Sequence, residues 1–467
     1  VEYFAAEGNW WLPADPSRTV PGTLTFDEDG VNLVLYDSLR PFAPSGTGIY
    51  SGGPESIVEP LVLGRTRDRR NITLFDVSGL SMSGPFAEVT EEFFVGLALV
   101  GIHTTADSIR RAWCRFDYLE AWSQPEPIYQ FHKDDDHLHL RWATPEEMAY
   151  VELPDITIRL RADSTGTAGE SVVHVERSTS FQIDPAVPQT TAALLDTSVR
   201  PLQDLLAFAL GRPIRLTGLQ LVPFDIPDGG GSGEAFFNAV QPRPNRGREP
   251  NWGDVIGYTA PTIVTPKDFG LDAGELVRRW FGLRSRHART VSLLLTPLYA
   301  PFMYTDQVFG LTYQAAESLR STLPGTDMSR QKHAARCKAI VDAAVGSVGE
   351  DTLEWAERVL LSRNDKPMHE VITQVVKSAG SVGEKVLTAA PDFGRTVTRA
   401  RAGVAHPKAG DLDSVGLYWH AQVLRWVVRT CLLMELVGEG AAEKVAEREP
   451  FNNAVRHVAA LPSQQES

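Results

Sequence analysis

The sequence has little cysteine: Cys114, Cys337 and Cys431 are the only three in 467 residues, lie far apart and form no Cys-x-x-Cys pair. That spacing excludes a disulfide framework and a thiolate metal site, and a reducing cytoplasm is the expected compartment. Long apolar runs are also missing. The longest, Phe93 to Ile102 and Val291 to Tyr304, fall short of the ~20 residues that a membrane helix needs. No basic stretch followed by an apolar core opens the chain, so neither secretion nor membrane insertion is expected. Glycines cluster at Asp228-Gly-Gly-Gly-Ser-Gly-Glu234, but no Walker lysine follows them, which excludes a P-loop. Internal repeats and large low-complexity tracts are absent as well, so a compact globular protein of two domains is expected.

Net positive charge is lacking overall, with 45 Lys+Arg against 59 Asp+Glu. The deficit is uneven. From residue 271 onward 24 basic residues stand against 22 acidic ones, which leaves 21 against 37 for residues 1 to 270. Two parts with different charge are expected to meet different partners.

The first part reads as short strands. Thr23-Leu-Thr-Phe26 and Val31-Asn-Leu-Val-Leu-Tyr36 alternate around Asp27-Glu-Asp-Gly30, which predicts a hairpin. A second hairpin is expected over 57–65 and 71–77, joined by a turn holding Arg65, Arg67, Arg69 and Arg70. Further strands are expected at 93–103, 109–119, 128–132, 137–142, 148–161 and 171–182, a density that indicates a sandwich or barrel. Leu194, Leu195, Val199, Leu202, Leu205, Leu206 and Leu210 then fall at helical spacing. Residues 227–252 read as an exposed loop.

After about residue 268 the apolar spacing is helical throughout: 271–299, 303–323, 328–346, 351–363, 367–378, 383–403 with a break at Pro391, and 412–438. Leu353, Ala356, Leu360 and Leu361 predict one buried stripe, and Val423, Trp426, Val427, Cys431 and Met434 another. Asp327 and Asp411 are expected as N-caps. The expected architecture is α+β: a β-rich sandwich or barrel-like domain with a packed helix over 1–267, and an all-α bundle over 268–467.

One stretch of the second domain carries chemistry. Residues 395 to 407 read Arg-Thr-Val-Thr-Arg-Ala-Arg-Ala-Gly-Val-Ala-His-Pro, with an Arg-x4-His pair, Arg401 and His406, at a helix end. Arginine is a permanent planar cation suited to clamping a phosphate, and histidine titrates near neutrality and can move a proton. Residues five apart on a helix point about 140° away from each other. Pro407 disfavours helix at His406 and lets the imidazole turn back. Arg399 also precedes His406 at the looser x6 spacing, so the choice between Arg399 and Arg401 is open. Arg395 and Arg399 fit either a phosphate-binding stripe or a solvated helix face.

The N-terminal strings Gly8-Asn-Trp-Trp-Leu-Pro13 and Val20-Pro-Gly-Thr-Leu-Thr-Phe26, with Leu63-Gly64, Phe116-Asp-Tyr-Leu-Glu-Ala-Trp122 and Trp280-Phe281, resemble the ApeA N-terminal domain of bacterial abortive-infection proteins. Tyr313-Gln-Ala-Ala-Glu-Ser-Leu319 and Arg401-Ala-Gly-Val-Ala-His-Pro407 resemble the ApeA-like HEPN domain. The resemblance covers nearly the whole chain. It implies an anti-phage endoribonuclease that needs no metal or other cofactor, with Arg401 and His406 catalytic and Glu317 as an orienting acid. It also implies cleavage to a 2′,3′-cyclic phosphate, RNA (host tRNA or another RNA) as substrate, a phage-derived trigger at the N-terminal domain, and a homodimer or higher oligomer that completes the site from two chains. Where many HEPN nucleases carry a polar residue directly after the arginine, this chain has Ala402. A non-catalytic HEPN module that serves dimerisation or nucleotide binding therefore stays open as the alternative.

Other groups attract attention and carry less. In the stretch from His132 to His139, His137 and His139 share one face of a strand and offer metal-type ligands, without a third at suitable spacing. Trp10 and Trp11 are adjacent on a strand and face opposite sides, so at most one lies on any binding platform.

Overall fold

The structure is a computed structural model and describes residues 4–27, 30–40, 55–82, 90–124, 129–133, 138–142, 147–168, 173–227, 231–237, 265–300, 302–322, 330–362, 366–405 and 412–461. The chain divides into two compact units, residues 1–243 with 262–278 and residues 244–261 with 279–467. Each is taken by itself.

In the first unit β1 (Phe4–Trp11), β2 (Val20–Asp27), β3 (Gly30–Leu35), β4 (Glu55–Thr66), β5 (Asn71–Met82) and β6 (Thr90–Val100) form a barrel. Its order is β6-β3-β2-β1-β4-β5, closed by β5 returning to β6. Closure removes the exposed edges that an open sheet would present. Alternation along the strands fills the interior with Trp10, Leu24, Leu33, Val62, Leu74 and Val95, all buried. Both expected hairpins are present, with Phe26 opposite Val31 and Arg65 opposite Asn71. Trp10 is in this core while Trp11 stands on the other side, edge-on to His103 at 5.5 Å. The arginine-rich turn partly neutralises itself, since Arg67 pairs with Glu7 and Arg70 with Asp68.

Strand β6 is shared. One of its edges pairs with β5 over residues 90–100, and the other with β3 over 91–94 and with β14 (Gly233–Phe237) over 97–100. Beyond it follow β7 (Ile109–Phe116), α1 (Leu119–Ser123), the separate hairpin β8 (Tyr129–Lys133) and β9 (Leu138–Trp142), β10 (Ala149–Glu152), β11 (Ile156–Ala168), β12 (Val173–Pro185), α2 (Thr191–Leu194), α3 (Arg200–Leu210), β13 (Leu216–Pro223) and β14 (Gly233–Phe237). The sheet runs on as β6-β14-β13-β7-β12-β11-β10. The expected loop over 227–252 is corrected here: residues 233–237 are strand, paired with β13 on one side and β6 on the other, with Ala235 and Phe236 buried. Phe236 lies 4.8 Å from Phe4 and 5.2 Å from Phe26, ring to ring. The expected strand over 148–161 is two strands, β10 and β11, turned at 153–156 by Leu153 N–H donating to Ile156 O at 2.9 Å.

The second unit is helical, with α4 (Ala273–Arg286) from residue 279 on, α5 (Ala288–Tyr299), α6 (Thr305–Ser318), α7 (Arg330–Ala344), α8 (Glu350–Ser362), α9 (Met368–Ser378), α10 (Ser381–Ala389), α11 (Phe393–Ala405), α12 (Ser414–Val437), α13 (Gly440–Ala446) and α14 (Glu449–Ala460). The break at Pro391 separates α10 from α11 as expected. Helix α12 is the centre, packing against α6, α9 and α14 and burying Val423, Leu424, Val427, Val428, Leu432 and Leu433. Its N-cap is Asp413, whose Oδ1 accepts from Gly416 N–H at 2.7 Å, and not Asp411. Both Asp411 and Asp327 lie outside the described residues. A second correction concerns α8: Leu353, Ala356 and Leu360 are only half-buried and Leu361 is 47% exposed, so the expected stripe is not fully covered among the described residues.

Candidate functional site

Helix α11 carries the arginine-rich motif. Its residues Phe393, Val397 and Ala400 recur at helical spacing and are buried, so one face is committed to packing. That face approaches α9 closely at Gly394, where a Cβ would come within 2.2 Å of Thr373 Oγ1 and 2.8 Å of His369 O. Only glycine fits. At the same end the Phe393 ring stacks on the His420 imidazole, centroids 5.6 Å apart and 17° between planes. His420 Nδ1 donates to Gly416 O at 2.7 Å, and burial pushes the His420 pKa below its usual value. This histidine is therefore a neutral packing group at neutral pH.

Farther along α11 the three arginines separate. Arg395 and Arg399 stand about 40° apart around the axis, while Arg401 is about 160° from Arg399. Exposure agrees with that geometry: Arg395, Arg399 and Ala402 are exposed and Arg401 is half-buried. Arg401 thus leaves the helix on the side that packs. Helix α11 is described through Ala405, and His406 lies outside the described residues.

Helix α6 meets this side of α11. Phe309, Thr312, Tyr313, Ala315 and Ala316 are its buried residues, and Glu317 follows Tyr313 by one turn at the exposed rim. Tyr313 is only 4% exposed, and its hydroxyl donates to Thr398 Oγ1 over a long 3.4 Å. Thr398 in turn donates to Gly394 O at 2.8 Å, which leaves its oxygen free to accept. Thr398 lies about 60° from Arg401 on the same helix. Burial pushes the Tyr313 pKa above its ordinary value; the Thr398 bond opposes this, the Glu317 charge adds to it and the Arg401 charge opposes it. One buried phenol therefore feels both Glu317 and Arg401, with opposite sign.

The structure brings three groups to one place: a guanidinium from α11, a carboxylate from α6 and a phenol hydroxyl between the helices. Among the described residues no ion pair joins Glu317 directly to Arg401; they meet through the field at Tyr313. Tyr313 and Thr398 had no role assigned from sequence. The available signal was a hydroxyl-bearing residue at a buried position, one turn before a candidate acid. Such an arrangement sets a cation beside a buried phenol with a counter-charge near it, which suits a phosphate oxygen as ligand. Among the described residues no three His, Cys, Asp or Glu side chains come together to hold a metal ion, and no helix is long and apolar enough to cross a membrane.

A β-barrel unit with appended strands, followed by a helical unit whose packed helix presents an arginine near a Tyr–Glu turn, defines a two-part protein with a helical second half. Residues 6–280 match the family model of the ApeA N-terminal domain 1, and residues 311–440 match that of the Apea-like HEPN domain. The first match alone spans more than half of the chain, and the protein belongs to the ApeA family. No curated protein and no solved structure matches it.

Proposed function

We propose that this protein is an abortive-infection endoribonuclease of the cytoplasm that cuts RNA without a metal. The observation that carries the reading is the position of Arg401, on the packed side of α11 and within electrostatic reach of Tyr313, in a domain of the ApeA-like HEPN family. His406 takes the proton of the ribose 2′-OH, whose oxygen then bonds to phosphorus. Arg401 donates to the non-bridging oxygens as negative charge builds on them. The phosphorus–O5′ bond breaks, and the 5′-oxygen takes a proton from a protonated imidazole, that of the second copy in a two-chain site. The products are a 2′,3′-cyclic phosphate and a 5′-OH. Glu317 is the counter-charge that keeps the Arg401 side chain oriented. Arg395 and Arg399, on the solvent side of the helix, add attraction for the RNA backbone.

Ala402 does not argue against catalysis in this arrangement. It is exposed on the Arg395 and Arg399 side, so a polar group there would face away from the group around Tyr313. The substrate is RNA of the host, tRNA among the candidates, and the N-terminal unit receives a phage-derived trigger. The test is cleavage of RNA in EDTA by wild type, Arg401→Ala and His406→Ala, with phage challenge of cells in parallel. Loss in both variants is expected. Unchanged cleavage in both would place the active centre elsewhere.

A further inference from the structure

Among the described residues the hairpin of α7 and α8 buries little beyond its own seam. Among residues 331–361 Cys337 is the one that is buried. Its Sγ lies 3.5 Å from His333 Nε2, which bonds Leu360 O at 2.9 Å, so the two helices are held together along an inner seam. Outside that seam Ile340, Val345, Val348, Trp355 and Leu361 are each between 44% and 65% exposed. Exposed apolar groups on both helices of one projecting element mark an interaction surface.

The charges say which partner fits. Helix α7 carries Arg330, Lys332, Arg336 and Lys338 against Asp342 alone, while α8 carries Glu350, Asp351, Glu354 and Glu357 against Arg358 alone. The hairpin therefore has no net field to draw in a polyanion such as RNA. Its charge is sorted instead, one helix basic and the other acidic. A surface of that kind is complementary to itself: under a two-fold rotation the basic helix of one copy meets the acidic helix of the next, and each contact is made twice. We propose that the α7–α8 hairpin docks on the same hairpin of a second copy of this chain, closing a four-helix bundle over Trp355 and Ile340. The pairing stands independently of RNA cleavage and of the function proposed above.

The test is the mass of the full-length protein by sedimentation velocity at micromolar concentration, with circular dichroism as the check on folding. Wild type is expected as a dimer. Trp355→Asp, which leaves the hairpin's own charge pattern nearly intact, is expected to weaken association at least tenfold. Arg336→Glu with Lys338→Glu is expected to give a monomer, as is Glu354→Lys with Glu357→Lys, and an equimolar mixture of the two is expected to pair again. A monomeric wild type overturns the proposal, as does a Trp355→Asp protein as dimeric as wild type, including the case where that variant only loses affinity for RNA. Arg401→Ala is expected to stay dimeric while losing cleavage, whereas a wild type that pairs but does not cleave refutes the ribonuclease reading and leaves the pairing standing.

Discussion

Helices α8 and α11 are each thirteen residues long and each is amphipathic, yet they have opposite fates. In α11 the apolar residues Phe393, Val397 and Ala400 are shut away against α9 and α6, and Gly394 lets the backbone of α9 come close. In α8 the stripe of Leu353, Ala356 and Leu360 lies beside α7 and is only half-buried, and Trp355 and Leu361 stay half in water. Amphipathic spacing states that a face wants cover. It does not state whether the cover belongs to the same chain. The arginine proposed for catalysis stands on the pinned helix of the two.

The largest effect is expected where pinning and charge coincide. Arg401→Ala should slow single-turnover RNA cleavage by roughly 10²–10³-fold, the range for loss of one donor to developing charge. Arg399→Ala, on the solvent side of the same helix, should cost less than about tenfold, through weaker backbone attraction that salt screens. Equal losses in the two variants would erase the distinction between the faces of α11.

Next is the packing itself. Phe393→Ala removes a fully buried ring from between α11 and His420 and should lower stability by about 3–5 kcal/mol in urea unfolding. A loss below about 1 kcal/mol would mean that α11 is not anchored at this end.

A smaller, pH-dependent effect belongs to Glu435 on α12. Its carboxylate accepts from Arg286 Nε at 2.9 Å and lies 2.7 Å from His287 Nε2. Burial pushes its pKa up, but the hydrogen bonds from Arg286 and His287 and their charges outweigh burial and hold it below 4.5. A carboxylate lowered on folding stabilises the folded state above its unfolded pKa, and that contribution fades as pH falls through the folded value. Glu435→Gln should therefore melt earlier than wild type at neutral pH, with the two melting curves converging in acid. A difference constant with pH would assign the effect to packing instead of charge.

Much of this architecture was legible because it depends on local rules. The two barrel hairpins follow from alternation around Asp27-Glu-Asp-Gly30 and around the arginine turn, and the α10–α11 break follows from Pro391. The missed features depend on distant partners. Strand β14 sits inside a glycine-rich stretch and is strand only because β6 and β13 offer it two edges. Asp413 caps α12 where Asp411 was expected, a matter of two residues that the apolar spacing does not fix. In the candidate site the arginine motif was visible at once, but the division between Arg399 and Arg401 needed the packed face of α11, and Tyr313 needed α6 to be laid against Thr398.

The smallest expected effect tests the other side of the comparison. Leu361→Ala truncates a side chain that α8 leaves 47% exposed, so in dilute protein it should change unfolding free energy by no more than about 0.5 kcal/mol. The same substitution in concentrated protein should cost more if a second hairpin covers α8, because association stabilises the folded state by mass action and makes the melting temperature depend on concentration. A cost that does not change across a hundredfold range of concentration would mean that Leu361 remains in water in every assembly this chain forms. The pairing surface would then have to be drawn through Trp355 and Ile340 without it.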